Sequence, residues 1–175
     1  SDTSGSSNCV LCDVGFYSNT MGSSTCTACS PGSYSNTKGS VTCTACLPGF
    51  YSDEFGATSC KPCLSGSFVA LQGAQSCQKC LQGSYAANNG SSTCSLCPTG
   101  TFFDSIGADN VLACKPCPTG TFGLNAGATS VGACQKCAIG AFSNITGASD
   151  ISSDISACNS CKAGEYNDVT GRLTM

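Results

Sequence analysis

Tryptophan and histidine are absent from this chain, and only 10% of its residues are charged. Without histidine there is no side chain that titrates unperturbed near neutral pH, which removes the commonest general base and metal ligand. Seven Lys and Arg stand singly along the chain against ten Asp and Glu, for a net charge of −3. No basic stripe exists to neutralise phosphates, so nucleic-acid binding is not expected. Long apolar runs are missing as well. The stretch FVAL at 68–71 is about as long as they get, far short of the roughly 20 residues that span a bilayer. Direct membrane insertion of this segment is therefore not expected. The first residues, SDTSGSSN, have neither the basic start nor the apolar middle of an export signal. Such a signal is expected to have been removed or to lie outside this segment.

The ingredients of a conventional core are also scarce. The hydrophobic fraction of 41% includes 18 cysteines and 17 alanines, and Val, Ile and Leu together number only 21. Cysteine at this density in a soluble chain signals cross-linked, oxidised, extracellular structure. Secreted or cell-surface localisation is expected from the cysteines alone.

The cysteines fall into nine CxxC pairs that begin at Cys9, Cys26, Cys43, Cys60, Cys77, Cys94, Cys114, Cys134 and Cys158, spaced by 17 residues five times and then by 20, 20 and 24. Counted from the second cysteine of each pair, the third residue is always glycine, from Gly15 through Gly164. The fifth is always aromatic: Tyr17, Tyr34, Tyr51, Phe68, Tyr85, Phe102, Phe122, Phe142 and Tyr166. Glycine returns at the tenth position, from Gly22 through Gly171. Self-similarity at a fixed period is the signature of a repeat architecture. The organisation read from it is a polar lead-in over 1–8 and nine tandem repeats over 9–175, the last incomplete.

Each fixed position has a physical reading. Pro31-Gly32 and Pro48-Gly49 suit a tight turn, proline setting φ and glycine accepting the positive φ that other residues resist. The triplets after it, such as SYS and FYS, suit a short strand. The second glycine reverses the chain toward the next cysteine, and the extra residues of the later repeats all fall after it, where a surface loop is expected. The fold class predicted is a small disulfide-rich, elongated tandem array of short two-stranded β loops, with little regular secondary structure and no helix of note. The recurring aromatic is expected to pack on cystine sulfur or on a neighbouring repeat; a ladder of exposed aromatics that holds glycans is the functional competitor.

The spacing C-x2-C-x13-C-x2-C also lies near that of zinc ribbons. A four-cysteine site consumes two CxxC pairs and would double the period, yet every interval carries the same glycine, aromatic and glycine. Disulfides are therefore preferred, and no metal or other cofactor is expected. The simplest pairing that keeps the period joins the second cysteine of each pair to the first of the next: Cys12 to Cys26, Cys29 to Cys43, Cys46 to Cys60, Cys63 to Cys77, Cys80 to Cys94, Cys97 to Cys114, Cys117 to Cys134 and Cys137 to Cys158. Cys9 and Cys161 then look outward for partners, and the chain reads as a segment of a longer protein. Bridges within each CxxC, or a staggered scheme, also keep the period, and sequence does not choose among them.

The motif CxxC-x2-G-x-[FY]-x4-G resembles the ephrin-receptor-like cysteine-rich repeat over residues 9 to 171. It is similar in turn to the smallest modules of tumour-necrosis-factor-receptor cysteine-rich domains and, more loosely, to EGF-like repeats. Such repeats occur in animal receptors and in long arrays of protist and algal surface proteins, including flagellar hairs. The resemblance implies an elongated ectodomain with one small disulfide-closed loop per repeat. The uniform spacing departs from tumour-necrosis-factor receptors, whose modules alternate in type.

A cystine closing a loop of about 15 residues contributes roughly 3 kcal/mol, while ordering each backbone residue costs about 1 to 2 kcal/mol. Stacking on both neighbours must supply the rest. With an advance below roughly 30 Å per repeat, nine repeats predict a rod on the order of 100 to 200 Å. The function expected is that of a structural, non-catalytic extracellular rod in a surface stalk or filament; the alternative is a ligand-binding or spacer ectodomain of a receptor or adhesin. Self-association or flanking repeats of the same chain are the expected partners.

Other candidates are few. Asn89-Gly90-Ser91 and Asn144-Ile145-Thr146 are N-glycosylation sequons in the expected loops, so covalent glycans are expected partners at Asn89 and Asn144. The adjacent acids Asp53-Glu54 should point to opposite faces of an extended segment, which suits a solvated loop better than acid-base catalysis. Asp150 and Asp154 lack the dense oxygen-ligand spacing of a calcium loop. Nothing here composes a catalytic constellation, and no enzymatic activity is expected.

Overall fold

The computed structural model describes residues 8–149 and 157–167. Every regular element follows from the repeat. The turn predicted after each CxxC forms as read: the N–H of Ser33 donates to the carbonyl of Ser30 at 3.0 Å, and that of Phe50 to Leu47 at 3.0 Å. Glycine occupies the third turn position at positive φ, +86° at Gly32 and +87° at Gly49, as a type II turn requires. Where the fourth turn residue is Ser or Thr, its hydroxyl donates back to the first carbonyl, as from Ser67 to Leu64 at 2.6 Å and from Thr121 to Pro118 at 2.6 Å.

The chain leaves the turn as a strand of two residues, one shorter than the triplets suggested, and pairs with the two residues inside the next CxxC. Phe16–Tyr17 pairs antiparallel with Thr27–Ala28, Ser33–Tyr34 with Thr44–Ala45, and Phe50–Tyr51 with Lys61–Pro62. The same hairpin joins Ser84–Tyr85 to Ser95–Leu96, Thr101–Phe102 to Lys115–Pro116, Thr121–Phe122 to Gln135–Lys136, and Ala141–Phe142 to Asn159–Ser160. Ser67–Phe68 with Gln78–Lys79 makes the eighth two-stranded sheet. Sheets this small are not stable alone. Each leans on what its neighbours supply.

The chain divides into two compact units, residues 1–78 with 88–93 and residues 79–87 with 94–175. In the first unit, buried cysteine replaces the missing aliphatic core: Cys29, Cys46 and Cys63 have no solvent exposure. Around them Ser35 and Ser52 are buried at 4% and 2% exposure. Val10, Leu11, Val41, Leu47, Phe55, Leu64 and Leu71 remain exposed.

In the second unit Cys80, Cys97, Cys117 and Cys137 play the same part. Here the aromatic finds the neighbouring cystine, for Phe102 packs with Cys117 and Cys134 of the next repeat and with Ala128. Elsewhere the aromatic is half-buried, and Tyr166 is exposed. The three-residue insertions of the two 20-residue repeats are not plain loops. They wind into 3-10 turns at Val111–Ala113 and Val131–Ala133, the first capped by Asn110, whose side-chain oxygen accepts from the N–H of Leu112 at 2.8 Å. Just before these two turns single parallel bridges form from Tyr85 to Ala108 and from Phe102 to Ala128, and the next repeat has the same bridge from Phe122 to Ala148.

Candidate functional site

What recurs is a contact between repeats, and it is assembled from the fixed residues. Within the first unit, the first glycine of a repeat donates its N–H to the sixth-position carbonyl of the next, Gly15 to Ser35 at 2.7 Å and Gly32 to Ser52 at 2.7 Å. The second glycine of a repeat donates back to the second cysteine of the one before, Gly39 to Cys12, Gly56 to Cys29 and Gly73 to Cys46, all at 2.8 Å. The second unit repeats these bonds from Gly83 to Phe103, Gly107 to Cys80, Gly127 to Cys97 and Gly147 to Cys117.

Stacking reaches further than the immediate neighbours expected from the sequence. A Cβ placed on Gly15 would meet the backbone carbonyl of Gly56, two repeats on, and the same holds for Gly32 with Gly73 and Gly49 with Gly90. In the second unit Gly83 faces Gly127 and Gly100 faces Gly147 in the same way. At Gly15, Gly32, Gly49, Gly83 and Gly100 glycine is thus required twice, by its positive φ and by the backbone that presses on it, whereas Gly140 and Gly164 are required by φ alone. The sixth position, where Ser35, Ser52, Val69, Ala86 and Ser143 are all buried, belongs to this contact. The sequence reading passed over it, although its run of mostly small residues was the available signal.

The cysteines lock the same places. Disulfides join Cys12 to Cys26, Cys29 to Cys43, Cys46 to Cys60 and Cys63 to Cys77. They also join Cys80 to Cys94, Cys97 to Cys114, Cys117 to Cys134 and Cys137 to Cys158. The Cα atoms lie 5.7 or 5.8 Å apart in each. The reason is local: from Cys26 onward the two residues inside each CxxC are a strand, and residues three apart on extended backbone face opposite sides. The first cysteine of a pair is therefore aimed back and the second forward. Cysteines held in cystines have no thiolate to offer a metal. Cys9, exposed, and Cys161, half-buried, have no disulfide partner among the described residues.

The remaining candidates lie apart from one another. Asn89 is exposed, and its side-chain oxygen accepts from the N–H of Ser65 at 2.9 Å. Asn144 is exposed. Asp150, Asp154 and Gly171 fall outside the described residues. Asp53 and Glu54 do not diverge as expected, because the chain bends there and both carboxylates converge on the Lys61 ammonium, at 2.9 and 2.7 Å. The hydrogen bonds that the Lys61 ammonium donates to Glu54 and Asp53 push its pKa up, and the bond to Asp53 holds that carboxyl below the usual carboxylate range. Asp104 is lowered in the same way by Lys115 at 2.9 Å.

Two-stranded hairpins, one cystine per repeat and a glycine lattice define a small disulfide-rich tandem array. The family model for the tyrosine-protein kinase ephrin type A/B receptor-like region matches residues 1–40, 32–76 and 66–114. The chain belongs to this family of cysteine-rich repeats. Such repeats are non-catalytic modules of receptor-like ectodomains, and eight disulfides accord with an extracellular domain. Among the described residues no helix is long and apolar enough to cross a membrane. No curated protein matches the chain in sequence.

Proposed function

We propose that this ectodomain array is a structural, non-catalytic extracellular rod that forms part of a cell-surface stalk or an extracellular filament of the flagellar-hair type. The observation that carries the reading is the recurrence, in each unit, of the same glycine contact between a repeat and the second one after it. A lattice that repeats its bonds also repeats its outer surface, which suits lateral self-association. Apolar side chains such as Val41, Leu47 and Leu64 stand on that surface at 64% exposure or more. In this reading the chain is a segment of a longer protein, Cys9 and Cys161 pair with flanking repeats, and Asn89 and Asn144 carry glycans. The family description supports the second reading, a ligand-binding or spacer ectodomain of a receptor. Negative-stain electron microscopy of the native full-length protein separates the two. Thin fibres or stalks with an axial repeat support the rod; single ectodomains on a membrane-anchored signalling chain overturn it.

A further inference from the structure

The first unit has one hollow whose lining differs from its counterparts along the repeat. It is an open depression of about 370 Å³ on the first two repeats and the start of the third, lined by Tyr17, Asn19, Ser30, Ser33, Val41, Thr42 and Cys43. That volume is in the range of small-molecule sites. The lining carries one aromatic ring, one amide and four hydroxyls, that of Tyr17 included, with no charged group.

Several of these polar groups are not spent within the chain. The side-chain oxygen of Asn19 accepts from Thr20 at 3.1 Å, and among the described residues no bond engages its amide nitrogen. Ser33 donates to the Ser30 carbonyl at 2.7 Å and keeps its lone pairs. Among the described residues, the hydroxyls of Tyr17 and Ser30 make no hydrogen bond. A tyrosine beside uncharged donors and acceptors in a mainly polar hollow suits a ligand with many hydroxyls. It lacks the cations that a phosphate or sulfate requires and the clustered carboxylates that a hard cation requires.

The repeat supplies its own controls. At the positions of Ser30 and Ser33, the next repeat carries Leu47 and Phe50, and the one after it Leu64 and Ser67. At the position of Asn19 stand Asn36 and then Asp53, the latter tied to Lys61. The combination of tyrosine, asparagine and two serines occurs at this place alone in the nine repeats. We infer that the hollow formed by Tyr17, Asn19, Ser30, Ser33 and Thr42 is a binding subsite for a neutral saccharide. This does not depend on whether the array is a filament or a receptor.

The test is saturation-transfer NMR on the oxidised 175-residue chain with four probes: mannotriose, triacetylchitotriose, cellotriose and, as a charged control, sialyllactose. The expected result is transfer to at least one of the neutral three and at least tenfold less to sialyllactose. Transfer to mannotriose or triacetylchitotriose points to a glycan borne by protein, and transfer to cellotriose to a polysaccharide. In N19A and in S30L, which installs the residue the next repeat already tolerates, the dissociation constant for the responding probe should rise at least tenfold. N36A should leave it unchanged. Intact mass under non-reducing conditions confirms that each variant keeps its eight bridges. No transfer to any neutral probe overturns the inference, as does binding that survives N19A and S30L or falls equally in N36A.

Discussion

At the scale of single residues, the first glycines that press on a repeat two further on, Gly15, Gly32, Gly49, Gly83 and Gly100, are the positions that tolerate least. Gly49 has φ of +87°, and its missing Cβ would overlap the Gly90 carbonyl. Gly22 has nearly the same backbone, φ +71°, but open space around it. The left-handed conformation alone costs a non-glycine residue about 1 to 2 kcal/mol. G22A should therefore lose about that much local stability. G49A should lose more, because backbone on the other side cannot yield as a flexible side chain does. Amide hydrogen exchange reads the difference directly: in G49A the amides of Gly49 and Gly90 should exchange faster, and in G22A they should keep wild-type protection.

The charged residues make a milder prediction. Asp53 and Asp104 have lowered pKa values, so their contribution is present above the ordinary Asp value of 3.8 and is lost as pH falls through the lower folded-state value. Lys61 has a raised pKa, so its contribution is full below 10.5 and fades only above that. All three side chains are well exposed, and exposed pairs contribute little and are screened by salt. Thermal unfolding should be flat between about pH 5 and 9 and fall only slightly at about pH 3. A large acid transition would show that some other carboxylate governs the fold.

At the scale of the element, the hairpin and its cystine act together. Replacing Cys46 and Cys60 by alanine opens a loop with a sequence separation of 14, which should cost about 3 kcal/mol, roughly a hundredfold in local opening. The amides of Cys46 and Gly73, bonded to Gly32 and to Cys46, should report it first. Protection at Cys117 and Gly147 should be untouched, as expected of contacts confined to near repeats. Much of this element is legible in the residues themselves. Pro48-Gly49 announces the turn, and the aromatic at Tyr51 announces the strand.

The partner strand is harder to see, because Lys61–Pro62 and Thr44–Ala45 carry no strand pattern and are held by the cysteines on either side. The contact from Gly15 to Gly56 could not be read at all. A period of 17 is the same whether a repeat touches only the next one or also the second, and glycine leaves no side chain to hint at what lies against it. Asp53 and Glu54 misled for another reason. Alternation holds on extended backbone, and they sit on a bend where one lysine reaches both.

At the scale of the whole molecule, sulfur stands where aliphatic side chains usually are. Among the described residues the fully buried side chains are seven cysteines and two serines, Ser52 and Ser143. Hydrophobic burial of this kind cannot hold a chain of this length once the cross-links are gone. Reduction with excess dithiothreitol in native buffer should abolish amide protection in every hairpin rather than loosen one end. Protection that persists after complete alkylation would mean that the hairpins stand without their cystines. The same dependence agrees with an oxidising, extracellular setting.

The most direct test of the account is proteolytic peptide mapping of the native protein by mass spectrometry under non-reducing conditions, after free thiols are blocked. The account predicts cross-linked peptides that join the second cysteine of each pair to the first of the next, Cys46 with Cys60 and Cys117 with Cys134 among them. Bridges within a CxxC pair, or blocked thiols together with bound zinc, would contradict it.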